Sequence, residues 1–136
     1  MTPAKKRSVL DSWALIAYLS GARSGAAVRD LLRAADAAGE RLLMNAVNIG
    51  EVYSVVATRR SPAAAETFLH TFETMPIDPV PNAFAEVIEA AKLKAQHAIS
   101  YADAFAAATA IRHGAILVTG DREFRALEGQ ITVRWI

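Results

Sequence analysis

Ser100-Tyr-Ala-Asp-Ala-Phe-Ala-Ala-Ala-Thr-Ala-Ile-Arg-His-Gly-Ala-Ile-Leu-Val-Thr-Gly-Asp-Arg-Glu-Phe124 changes character halfway along. Ser100 is a good helix N-cap, the alanine-rich run after it has high helix propensity, and Gly114 supplies a C-terminal stop. From Ala115 to Val118 the chain is short, apolar and partly β-branched, which reads as a buried strand, and Thr119-Gly120-Asp121 breaks it. An acid therefore stands just past the strand's carboxyl end, the edge where open α/β sheets bind their ligands. Two carboxylates, Asp103 and Asp121, bracket this helix-to-strand unit.

The same alternation extends toward both termini. Arg7 to Leu10 is a strand candidate that turns at Asp11-Ser12 into a helix from Trp13 to Leu19. Ala26 to Ala38 is amphipathic, with Val28, Leu31, Leu32 and Ala35 on one face and Gly39 closing it. Arg41 to Met44 is a second apolar run. It leads into a helix from Asn45 to Thr58, with Glu51 inside it and Val47, Val52, Val55 and Val56 as core candidates. Ser61-Pro62 opens the next helix by the N-cap and N1-proline rule. Pro76 to Pro81 is too proline-rich for a central strand and suits an edge. Asn82 is placed to cap a helix over Ala83 to Ala98 whose stripe is Phe84, Val87, Ile88 and Ala91. After the opening stretch come a short helix, Arg122 to Leu127, and a last strand, Ile131 to Ile136. Strands alternating with helices predict an α/β fold with a mainly parallel sheet.

At 136 residues, 53% hydrophobic and 21% charged, the chain suits a single domain over 1–136 with a substantial core, and disorder is not expected. Cysteine is absent, which removes disulfides and thiolate metal sites. His70, His97 and His113 show no paired ligand spacing, so any metal would be a hard, oxygen-seeking cation. The opening from Met1 to Arg7 is basic, but Asp11 and Ser12 interrupt the apolar run after it. That fails as a signal peptide or membrane span and predicts a cytoplasmic protein with no membrane partner. A net charge of +1 is too mild to indicate nucleic acid by itself.

Each acid taken singly has a bland explanation. Asp11 and Asp121 stand where N-caps stand, Ser100-x-x-Asp103 is close to a capping box, and Glu51 could be a solvated acid on a helix face. Their coincidence says more, because all four converge on one predicted edge of the sheet. Caps alone do not call for carboxylates, and the chain uses Ser61 and Asn82 elsewhere. Two carboxylates about 4 Å apart repel by roughly 4 kcal/mol at an effective dielectric near 20, a cost that a divalent cation removes.

In order and spacing, Asp11-Ser12 after a short strand, Asn48-x-x-Glu51 in a helix, Tyr101-Ala-Asp103 opening a helix and Thr119-Gly-Asp121 after an apolar strand resemble the PIN-domain ribonucleases. The toxin half of VapBC-type toxin-antitoxin pairs matches best in length. The resemblance implies an α/β/α sandwich with a mainly parallel central sheet, and Mg²⁺ or Mn²⁺ held by Asp11, Glu51, Asp103 and Asp121. Thr119, Ser12 and Asn48 would support those ligands. Trp13 is bulkier than the small or aliphatic residue the pattern puts there.

Such a ligand set predicts endoribonuclease chemistry in which a metal-activated water attacks the phosphodiester and no side chain acts as nucleophile. Arg122, Arg23 and the Arg59-Arg60 pair are candidate phosphate contacts, although each alone reads as ordinary solubilising surface. The resemblance further implies an RNA substrate and a cognate antitoxin; together with the apolar helical faces left after one small sheet is covered, it predicts a homodimer, with the helices over Asn45 to Thr58 and Asn82 to Ala98 as the expected seam. Competing assignments are weaker. An aspartyl phosphotransferase wants an acid where Trp13 stands, a receiver domain wants a lysine at the last strand, and a PIN-like module that only binds RNA or protein has no need of all four acids.

Overall fold

A computed structural model describes residues 5–136, so the first four residues of the basic opening segment lie outside the described residues. Five strands form one sheet: β1 (Ser8–Leu10), β2 (Leu42–Asn45), β3 (Ile77–Val80), β4 (Ile116–Thr119) and β5 (Thr132–Trp135). Their spatial order is β3-β2-β1-β4-β5 and every pairing is parallel, with Val9 opposite Leu43 on one side and Leu117 on the other. Proline-bearing β3 lies at an edge, as a strand lacking an amide donor must.

Side chains alternate across the pleat and so build two cores. Leu10, Leu42, Met44 and Val118 face helices α1 (Ser12–Leu19), α2 (Gly25–Ala38), α3 (Ala46–Arg59) and α4 (Pro62–Glu73). Val9, Leu43 and Leu117 face α5 (Phe84–Gln96), α6 (Tyr101–His113) and a 3-10 helix (Arg122–Leu127). The result is the expected α/β/α sandwich. Ser61 caps α4 with Pro62 in its first turn, and Gly114 ends α6 at a φ of 55°, a backbone state that side chains rarely adopt. None of the described helices is long and apolar enough to cross a membrane.

Three local expectations are corrected. Asn82 caps nothing: α5 starts after Ala83, and Asn82 instead exchanges two hydrogen bonds with Asn45, at 2.7 and 3.0 Å. Asn45 is buried at the end of β2, and a buried amide needs partners more than an exposed helix end needs a cap. The Phe84 stripe enters the core only in part: Val87 packs against it, half-buried, while the Phe84 end of the stripe stays outside. α5 buries Ala90 against α6, while Phe84 is 81% exposed and Ile88 lies open beside it. Val47, in the first turn of α3, is likewise exposed, whereas Val52 is fully buried.

Candidate metal centre

β1 lies between β2 and β4, so the chain leaves β1 toward one side of the sheet and returns later on the other. In open α/β sheets ligand crevices form at such a switch point, beyond the carboxyl ends of the two strands. Asp11 follows β1 there, and Thr119 and Asp121 end and follow β4. The first turn of α6 adds Asp103, and α3 adds Glu51.

The capping explanations hold in part. Asp11 caps α1 by accepting from the Ala14 amide at 2.8 Å, and Asp121 caps the 3-10 helix by accepting from the Glu123 amide at 3.0 Å. For Asp103 the explanation fails. Ser100 accepts from the Asp103 amide at 3.2 Å, but the reciprocal bond of a capping box, from the Ser100 amide, goes to Glu123 at 3.1 Å. The Asp103 carboxyl is thus not used to end the helix. It is buried, and its Oδ2 has no hydrogen-bond partner.

The polar neighbours fix the acids in place. Thr119 donates its hydroxyl to Asp11 Oδ2 and accepts from the Asp121 amide at 2.9 Å, so one threonine couples acids from two strands. Ser12 donates to Glu51. Asn48 donates to the Ala102 carbonyl at 2.9 Å, which ties α3 to the start of α6. Its Oδ1 and Asp103 Oδ2 are, among the described residues, the two buried side-chain atoms left without a partner. Unpaired buried oxygens cost free energy, and both occur here.

Electrostatics single out the same place. Burial pushes the Asp11 carboxyl up to about 7, against the bonds from Thr119 and Ala14, with Asp121 and Glu51 adding repulsion. Burial also pushes Asp103 up to about 9, helped by its contacts with Glu123 and Asp121 and by Asp11. At the opposite edge of the sheet, Asp78 accepts from Arg7 and Arg41 at 3.1 and 2.5 Å, and the Arg41 bond leads in holding its carboxyl below the ordinary range. No such cation reaches the switch point: among the described residues, none of the acids there forms a salt bridge.

Glu123 was not among the acids singled out from the sequence. One oxygen each from Asp103, Asp121 and Glu123 falls within 4.8 Å of the others, close enough to share one cation. Charges at that spacing repel by about 3.5 kcal/mol per pair at an effective dielectric near 20. The available signal was an acid two residues after Asp121, inside the turn that Asp121 caps. A donor set of oxygens only, with unpaired buried oxygens and, among the described residues, no salt bridge to any of its acids, fits a hard divalent cation. Of the arginines considered for phosphate, Arg122 is exposed beside Asp121, whereas Arg59 and Arg60 stand at the far end of α3. Arg23 follows the far end of α1, an eight-residue helix about 12 Å long that starts at the site.

Comparison with known proteins agrees with this architecture. A DNA-bound VapBC complex from Salmonella typhimurium aligns at 14% identity with a TM-score of 0.73, covering 96% of this chain and 98% of that one. A VapBC complex from Rickettsia felis, bound to a fragment of promoter DNA, aligns at 16% identity and 0.72, covering 95% and 98%. A sarcin-ricin-loop-cleaving VapC toxin from Mycobacterium tuberculosis aligns at 21% identity and 0.70, covering 93% and 98%. At these identities the likeness is one of fold. No curated relative matches by sequence. The model of the PIN domain family matches residues 8–130, a span that includes Asp11, Glu51, Asp103, Asp121 and Glu123, and the chain belongs to that family.

Proposed function

We propose that the chain, a single domain over 1–136, is a Mg²⁺- or Mn²⁺-dependent endoribonuclease acting as the toxin of a VapBC-type pair. The observation that carries this reading is the uncompensated acid cluster at the switch point, with Asp103 Oδ2 buried and unpaired in its midst. Asp11, Glu51, Asp103 and Asp121 would hold the cation, with Glu123 beside them. A bound divalent ion supplies Lewis-acid polarisation of a phosphodiester and acidifies a water for in-line attack.

The chain's own residues do the positioning. The Ala14 amide and the Thr119 hydroxyl fix both oxygens of Asp11, and the Asp121 amide in turn orients Thr119. Ser12 aims Glu51, and Asn48 holds the backbone beside Asp103. Burial and the neighbouring acids favour the neutral form of the Asp103 carboxyl over its charged form. Arg122, exposed next to Asp121, is the nearest candidate for a phosphate of the RNA. Cleavage by water attack leaves 5′-phosphate and 3′-hydroxyl ends.

Two surfaces support the partners of this reading. A groove of about 330 Å³ between α1, α3 and α4 is apolar at Ile16, Leu19, Val55 and Phe68 and carries Arg59 and Arg60, which suits an amphipathic antitoxin segment. Phe84, Ile88 and Val47, exposed on α5 and α3, suit the seam of a homodimer. The deciding experiment is cleavage of total RNA with Mn²⁺ or Mg²⁺. The wild type should cut and stop on chelation, and Asp11→Asn should be inactive with its circular dichroism unchanged. A folded Asp11→Asn variant that cuts at the wild-type rate would remove the assignment.

A further inference from the structure

One side chain at the mouth of the acid cluster has no part in holding a cation. Trp13 lies in the first turn of α1, two residues after Asp11, and is 36% exposed between the buried Ser12 and Ala14. A Cβ added at Gly120 would stand 2.3, 2.4 and 2.7 Å from its Cη2, Cζ3 and Cζ2 atoms. Approach to the Cη2 tip edge-on would leave the two flanking carbons clearly further away. Near-equal distances instead put that point over the ring, so the indole lies face-on against the bare Cα of Gly120. The backbone at Gly120 does not have the positive φ that favours glycine, so what demands glycine here is space for this ring. With this face pinned, the part of the indole left open to solvent lies away from Gly120. Asp121 follows Gly120 directly, which sets the platform at the border of the acids.

We propose that Trp13 is a positioning residue on which a nucleobase next to the scissile phosphate stacks. This rests on the ribonuclease reading and adds to it the substrate form: a strand whose base at the cut is unpaired and free to leave its own stack. Every base has a π-face, so an aromatic platform grips single strands with little regard to sequence. A fixed ring also loses little freedom on binding, unlike a mobile side chain. A phosphodiester brought to the carboxylates carries a base on either side, and the pinned indole stands where one of them arrives.

Trp13 and Trp135 are the two tryptophans, so in a Trp135→Phe background the fluorescence reports on Trp13 alone. That protein is titrated, with Ca²⁺ present, with a short single-stranded oligoribonucleotide of mixed sequence and with an abasic strand of equal length. In parallel, KM for the base-bearing strand is measured with Mn²⁺ for the wild type, Trp13→Phe and Trp13→Leu. The base-bearing strand should quench Trp13 and the abasic strand should not. Leucine, which keeps an apolar cover on Gly120 without a ring, should raise KM about tenfold, near the low end of base-aromatic stacking. Phenylalanine should stay within about threefold of the wild type, because the π-face that carries the stacking is retained. Equal quenching by both strands, or equal KM for leucine and phenylalanine, overturns the stacking role while leaving the ribonuclease reading in place. A wild type that does not cleave RNA at all overturns both.

Discussion

Replacing Asp103 by asparagine should make the cation-free protein more stable at pH 8 and flatten its dependence on pH. Asp103 is pushed up to about 9 and Asp11 to about 7 from the ordinary 3.8, by burial first and by neighbouring acids second. Across that window the folded chain holds protons that the unfolded chain has already released. Stability is therefore full below about pH 4 and falls as pH rises through the folded-state values. For Asp11 the fall by neutral pH is about 4 kcal/mol, at about 1.4 kcal/mol per pH unit. That is a large share of a typical net stability of about 5–15 kcal/mol. Asparagine keeps the shape of Asp103, still offers an N–H toward Glu123 and has no proton to lose. The charged groups around it are Asp11, Asp121 and Glu123, with Lys94 acting on Glu123 from further off. Solvent screens the half-exposed Asp121 and the exposed Glu123, so the variant should gain on the wild type by about 1–2 kcal/mol between pH 5 and pH 7. Guanidinium unfolding in chelator, followed by circular dichroism at pH 5, 6, 7 and 8, measures this directly. Parallel curves for the two proteins, or a variant weaker than the wild type at pH 8, would refute the claim that Asp103 is held protonated by its surroundings.

Thr119→Val removes the hydroxyl that serves both Asp11 and the Asp121 amide, and thermal melts should show a loss of about 1–3 kcal/mol. A shift under about 0.5 kcal/mol, the range of ordinary surface substitutions, would mean that the threonine does not couple the two strand ends. Phe84→Glu puts a charge on the most exposed large apolar side chain among the described residues and should turn a dimer into a monomer by light scattering. A wild type that is monomeric at micromolar concentration removes the proposed seam. An antitoxin whose arginine enters the acid cluster should lose affinity in millimolar Mn²⁺ and with added salt, because a guanidinium and a cation compete for the same carboxylates. Affinity unchanged by Mn²⁺ would place inhibition elsewhere, with the groove between α1, α3 and α4 the first region to examine.

What could be read from the sequence was local. Capping residues, glycine stops and apolar runs are set by neighbours a few positions away, and they gave the order of helices and strands and four of the acids. Glu123 escaped because its role depends on the Ser100 amide, 23 residues earlier, and on a carboxyl brought in by α6. Asn82 misled for a related reason: asparagine is equally suited to cap a helix or to pair in a core, and the choice fell to Asn45 on β2. The Phe84 stripe shows a limit of periodicity, since a helical apolar face looks the same whether it meets its own sheet or is left open. Trp13 was visible as an anomaly, but only its contact with Gly120 explains how the ring is held.

The most direct test of the central claim, that this cluster is a divalent-cation site, is calorimetric titration of the wild type with Mn²⁺ at pH 7 in buffers of different ionisation heat. The account predicts binding accompanied by net proton release, since Asp103 must give up its proton to become a ligand. Absence of heat at millimolar Mn²⁺, or binding with no proton release, would contradict it.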